Sequence, residues 1–377
     1  MTIALAATFF MITLSNFLWP GEYDHLLFLQ VFDKDKFVET LTSADLAIKV
    51  NGQESKISGV TLVKGLKVIR SEGEKIPSPI IPRVIIIEFK ANDYDQKLGR
   101  IIELLFLRPY TSEDIISIVT SVKPYGFSSN TLKNYSPDEL INAGITILKR
   151  DISAMGRSYN EITQEMTRLV LELPQATSPR DVLTHYKQNL QNLKAFRSFN
   201  QTTLRRATEH FANIKGLKHY IVIYQQEFLP IPNAETMERL LSNPNTMFQA
   251  SELFRSVETL EEPDLDLLIQ ELIDARIRVD FLYFRTNPRP RPEIQLKELS
   301  QDMYELYSRV ARSTGGMVET TNQPSAQLEK ILKNSESYYL IAYSPPSDLI
   351  GIDQTESEIK VKIKGKDYSL NFFQLRF

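Results

Sequence analysis

Four consecutive aliphatic residues, Val84 to Ile87, end abruptly in Glu88-Phe89-Lys90-Ala91-Asn92. An apolar, β-branched run bounded by polar residues reads as a strand buried on both faces. A helical stripe follows, with Leu98, Ile101, Ile102, Leu104 and Leu105 recurring on one side of Lys97 to Leu107. A buried strand feeding a helix is the first half of a βαβ unit. The same alternation predicts strands at Asp114–Val122, His219–Tyr224 and Ile277–Phe284, and a short one at Met317–Glu319. Helices are predicted at Pro137–Asp151, 158–173, 179–213 with a break near Phe199, Asp264–Ala275, Leu296–Ser313 and Ala326–Asn334. Ser136 before Pro137, with Asp138 and Glu139 in the first turn, is a helix start. Thr314-Gly315-Gly316 is a helix stop. Lys123–Ser136, Gln225–Asn233 and Arg285–Pro292 read as loops.

The two ends of the chain carry a different rhythm. Between His25 and about residue 75 short apolar runs alternate with turns, and Asn51-Gly52 is a strong hairpin signal. Lys75–Pro82 is rich in proline and reads as a stiff boundary. At the other end, Ser337–Tyr343, Ser357–Lys364 and Tyr368–Phe377 are strand-like. Glu358, Lys360 and Lys362 alternate there with Ile359, Val361 and Ile363, the pattern of a strand with one wet face. Residues 25–75 are expected to form a small β-sandwich module with strands 337–377.

Composition narrows the chemistry. The 377 residues, 42% apolar and 24% charged, suit more than one globular unit. The net charge of −3 gives no reason to expect a nucleic-acid partner. Cysteine is absent, which excludes disulfides, thiolate metal sites and cysteine catalysis. Four histidines without metal-ligand spacing argue against a zinc enzyme. No G-x-S-x-G or H-E-x-x-H motif occurs. The acidic run Glu258–Asp266 lacks the spacing of a calcium loop and reads as a solvated helix start. Thr2–Trp19 is almost wholly apolar and reads as an export signal or signal anchor, with a buried N-terminal element as the alternative.

With these elements in place, several segments resemble the bacterial VWFA-related domain proteins. They are Ala311-Arg-Ser-Thr-Gly-Gly-Met-Val318, Leu328–Leu332, and Ser337-Tyr-Tyr-Leu-Ile-Ala-Tyr-Ser-Pro345. Val31–Asp33, Leu41–Leu46 and Val50–Gln53 carry the same likeness at the front. The resemblance covers residues 25–377 in order. It implies an α/β, Rossmann-like von Willebrand A domain over 83–335, with a mostly parallel sheet, helices on both faces and a long helical insert at 158–213. It also implies export, to the periplasm, envelope or exterior.

The same resemblance implies a metal-ion-dependent adhesion site, built from Asp-x-Ser-x-Ser after the first strand, a later threonine and an aspartate after the central strand. Alignment on the apolar run puts Glu88 at the Asp position, Lys90 at the first Ser and Asn92 at the second. Asp93 lies just beyond. Gln225, Gln226 and Glu227 stand where the later aspartate is expected, and the threonine falls at Thr131 or Thr146. An ammonium about 4 Å from a divalent cation repels it and supplies no lone pair. Glu88 is a methylene too long for a site of strict geometry. The site is therefore expected to be degenerate, with Glu88, Lys90, Asn92, Asp93 and Gln225 as its vestigial binding face and no metal or other cofactor. The expected function is a non-enzymatic, adhesion-type protein–protein interaction, with a protein partner and with membrane contact only through an N-terminal anchor. Alternatives are a metal-dependent adhesin with a variant Mg/Ca site, and a hydrolase using the strand-end crevice.

Overall fold

A computed structural model gives the architecture. It describes residues 25–33, 36–76, 80–111, 113–197, 199, 201–212, 214, 216–256, 264–288, 292–344, 359–364 and 368–375. The expected signal segment, the middle of the proline-rich boundary and most of the acidic run lie outside them. No helix among the described residues is long and apolar enough to cross a membrane. The chain divides into two compact units, residues 1–82 with 329–377, and residues 83–328.

The first unit opens with strands β1 (Leu26–Asp33), β2 (Lys36–Phe37), β3 (Leu46–Val50), β4 (Gln53–Lys64) and β5 (Lys67–Gly73). The β3–β4 turn is Asn51-Gly52, and both residues have positive φ, at 50° and 84°. Glycine and asparagine tolerate that conformation where bulkier residues do not.

The second unit begins with β6 (Arg83–Lys90), followed by α1 (Gln96–Leu107), β7 (Ile115–Val119), β8 (Pro124–Phe127) and α2 (Ser129–Asn134). A single long helix, α3 (Pro137–Glu172), follows, then α4 (Pro179–Phe196) and α5 (Gln201–Phe211). Next come β9 (Leu217–Gln225), β10 (Phe228–Pro232), α6 (Ala234–Ser242), α7 (Met247–Ser256), α8 (Asp266–Asp274), β11 (Ile277–Phe284), β12 (Ile294–Glu298), α9 (Gln301–Ser313) and β13 (Val318–Thr321). Helix α10 (Pro324–Ser335) leads into β14 (Ser337–Ser344), β15 (Ile359–Ile363) and β16 (Ser369–Leu375).

The expected arrangement, a mostly parallel Rossmann-like sheet with a small β-sandwich beside it, is corrected by the pairing. The largest sheet has eight strands in the order β15-β3-β4-β14-β1-β16, with β2 added on β1 and β5 on β4. Its described pairings are all antiparallel. The six-stranded sheet of the second unit runs β13-β11-β9-β6-β7-β8 and is mixed. Four of its pairings are parallel, and β8 is antiparallel on β7. Strand patterning tells which residues form strands but not which strands join. Strand β8 was hidden because Pro124 and Gly126 are poor strand formers, tolerated at a sheet edge. A third, two-stranded ribbon joins β10 to β12, in stretches that read as a loop and a helix start.

Each unit has its own apolar filling. In the first, Leu27, Leu29 and Val31 pack with Ile48, Leu62, Tyr339 and Ile341. In the second, Ile85, Ile86 and Ile87 are all but sealed from solvent, each such burial contributing about 1.5–3 kcal/mol. Tyr159 and Met166 of α3 meet Leu183, Tyr186 and Leu190 of α4 and Leu229 of β10. The helix predicted to begin at 158 is therefore the second half of α3. The break near Phe199 separates α4 from α5.

Candidate functional site

Strand β6 lies between β7 and β9, so the strand order reverses there, and the crevice outside such strand ends is where α/β sheets bind ligands. A cavity of about 200 Å³ opens at this place, lined by Glu88, Lys90, Asn92, Thr120, Arg197 and Tyr307 among others. All belong to the second unit.

Glu88 and Lys90 are two residues apart on a strand, so they share a face. Glu88 is buried and accepts a hydrogen bond from the Tyr220 hydroxyl at 3.0 Å. The Lys90 ammonium lies 3.0 Å from the other Glu88 oxygen. Burial pushes the ammonium toward neutrality, but the Glu88 carboxylate more than offsets this and holds the lysine charged.

The loop after β6 is fixed by Gln225. Its side-chain oxygen accepts from the backbone N–H groups of Asn92 and Asp93, both at 3.0 Å. The Asn92 amide donates to Glu227 at 2.6 Å. Helix α3 crosses this loop at Gly156, where any Cβ would collide with the Asn92 carbonyl. The Asp93 side chain is exposed.

Glu227 anchors a second, deeper cluster. It accepts from Arg197 Nε at 2.6 Å and from the Tyr224 hydroxyl at 2.9 Å. Arg197 Nη2 donates to the Leu299 carbonyl at 2.5 Å and to Asp302 at 2.7 Å. Burial opposes the guanidinium charge, and Glu227, Tyr224 and Asp302 together outweigh it. Arg197 Nη1 is buried with no hydrogen-bond partner among the described residues.

The residues present do not fit a divalent cation. A hard cation takes several oxygens, but the Glu88 carboxylate is engaged by Lys90 and Tyr220, and the Gln225 oxygen by two N–H groups. Among the described residues no three His, Asp or Glu side chains gather as a metal set. Neither expected threonine lines the cavity. Thr131 meets Ser128 at the start of α2, and exposed Thr146 donates to the Asn142 carbonyl within α3. Two threonines line the crevice, Thr120 and Thr203, and Thr120, which follows β7, donates to the buried Asp151 at 2.7 Å.

Sequence reasoning reached Glu88, Lys90, Asn92 and Glu227 but passed over Arg197, Tyr220 and Tyr224. The tyrosines did leave a signal. They are spaced by four in an otherwise aliphatic strand and share one face, and a buried tyrosine hydroxyl needs a polar partner. Arg197 left none, because it ends a helix whose partners lie 30 and 105 residues away.

No protein-family profile matches this chain, and no curated protein matches it either. Among solved structures, one similar chain is an aerotolerance-related membrane protein from Bacteroides fragilis NCTC 9343 carrying multiple mutations to serines. It is 10% identical, and the match covers 67% of this chain and 98% of that one, with a TM-score of 0.31. Another is the N-terminal domain of TFIIH p34, 11% identical, with 68% and 99% covered and a TM-score of 0.25. Overlap this low carries no argument about what this chain does.

Proposed function

We propose that this chain is a non-enzymatic, exported interaction module of von Willebrand A type, which binds a protein partner without a metal ion. The observation that supports the reading is the Lys90–Glu88 ion pair, which commits to a lysine the carboxylate that the sequence alignment sets at the adhesion site's first position. The crevice at the β6 and β9 ends remains the binding face, because the loop at Asn92 is pinned there by Gln225 and Glu227.

Calorimetric titration with Mg²⁺, Mn²⁺ or Ca²⁺ tests this. The natural chain is expected to give no saturable heat, and the double variant Glu88→Asp/Lys90→Ser is expected to gain a measurable response. Saturable heat from the natural chain, removed by EDTA, would overturn the metal-independent reading.

A further inference from the structure

We propose that the turn joining α6 to α7 dips into the interfacial layer of a phospholipid bilayer, a second membrane contact besides the expected N-terminal anchor. The proposal goes beyond the interaction-module reading and does not depend on the crevice.

Residues 243–246 alone separate the two helices, which makes them a helical hairpin. Its inner side is held by Leu240, Ala250 and Leu253, in one core with Leu173, Leu190 and Leu193. Three large apolar side chains flank the turn and face water instead. Leu241 is 39% exposed, Met247 50% and Phe248 76%, and no other large apolar residue among those described is as exposed as Phe248. Scattered exposed apolar residues need no explanation, but three around one turn mark a contact surface.

Charge selects the partner. No charged residue occurs from Leu240 to Ser251, in a chain that is 24% charged. A protein groove is framed by a polar rim, to which this tip offers no counter-charge. A zwitterionic bilayer asks only for apolar surface without net charge. Charges resume at Arg239 and at Glu252, which pairs with Lys187 at 2.7 Å. An arginine there suits the phosphate layer, its stem along apolar surface and its head in water. The turn is also built to lose water. Asn243 Oδ1 accepts from the Asn245 N–H at 3.0 Å, and the Thr246 hydroxyl donates to the Leu240 carbonyl at 2.7 Å. The Met247 N–H donates to the Asn243 carbonyl at 2.8 Å, and Pro244 has no N–H to satisfy. Unpaired backbone groups are what keep irregular chain out of lipid, and this turn pairs much of its own.

The experiment uses the absence of cysteine. Asn245→Cys gives the full chain one thiol, at an exposed position of the turn. A polarity-sensitive nitrobenzoxadiazole label on it is read while phosphatidylcholine vesicles are added. The label is expected to brighten and shift to the blue, saturably with lipid. The same label on Glu305→Cys, exposed on α9, is expected to stay unchanged. In the Asn245→Cys background, Phe248→Ser should raise the half-saturating lipid concentration about tenfold or more. It should leave the urea midpoint unmoved, because that ring lies outside the core, so loss of fold is not the cause. No response at position 245 overturns the proposal, including the case in which the N-terminal segment alone holds the chain to the vesicle. So does an equal response at position 305, or an unchanged lipid dependence in Phe248→Ser. A blue shift without lipid that grows with protein concentration also overturns it, since a second copy would then cover the tip. None of these readings involves a metal ion, so a failure of the metal-independent reading shows up separately.

Discussion

Asp114 is fully buried, and five donors converge on it. They are the backbone N–H, Nε and Nη2 of Arg83, and the backbone N–H and hydroxyl of Thr111. Asp114→Ala should destabilise the chain by about 3–5 kcal/mol, because it removes the carboxylate partner of a buried guanidinium. Urea unfolding measures this, and a loss under about 1 kcal/mol would contradict it. Charge also sets a pH dependence. Burial holds His219 below its usual value, and the nearby Asp280 carboxylate, 3.7 Å from Nδ1, only partly restores it. The unfolded chain therefore takes up a proton first as pH falls below about 6.5. Stability should decline from that point downward, and His219→Gln should flatten the slope in pH-dependent urea melts. Asp280 acts lower. Burial would raise it, but Arg278 and His219 hold it at about 2. Its contribution is present above about pH 3.9 and is lost as pH approaches 2. In the candidate site, Glu88 and Lys90 could be found in the sequence because they end an apolar run. Their ion pair was legible as well, because residues two apart on a strand share a face; the Tyr220 contact with Glu88 was not, since it depends on β9 lying beside β6.

Helix α3 shows how an element can be read and still be cut in the wrong place. Its start was legible: the Ser136 hydroxyl and the Glu139 carboxylate form a capping box. Its length was not, because Gly156 interrupts the apolar stripe and glycine is a poor helix former. The structure gives that glycine another role, as the place where the helix backbone passes against the Asn92 carbonyl. Gly156→Ala would raise helix propensity in isolation. Here it should destabilise the chain by about 1–3 kcal/mol through overpacking. It should also shift the amide signals of Asn92 and Asp93. A stabilised protein with those signals unmoved would show that the close approach is unimportant. The strands β6, β9 and β11 were legible for a simpler reason, as their burial on both faces leaves continuous apolar runs. Strand β10 was not, because two prolines disguise it.

At the scale of the whole molecule, β14 is an interior strand of the eight-stranded sheet, paired to β1 on one side and β4 on the other. Ending the chain before Ser337 should leave both neighbours with open edges, and open edges aggregate. Such a truncation is expected to pellet, or to lose protease resistance over residues 25–73, in limited proteolysis. A soluble, protected N-terminal fragment would refute this. The two ends were expected to share a module, but no local pattern gives which strands join or in what register: the Leu41 N–H reaches the Tyr339 hydroxyl across 298 residues of sequence. The same arrangement governs the timing of synthesis. Strands β1 to β5 leave the ribosome before β14, the strand that joins β1 to β4, with the whole of residues 83–328 made between them. The intervening unit has all its own strands by then and can fold earlier. Until β14 is made, the nascent chain thus carries unsatisfied strand edges on β1 and β4. Long-range strand pairing of this kind is intrinsically slow to form and exposed to aggregation until it does.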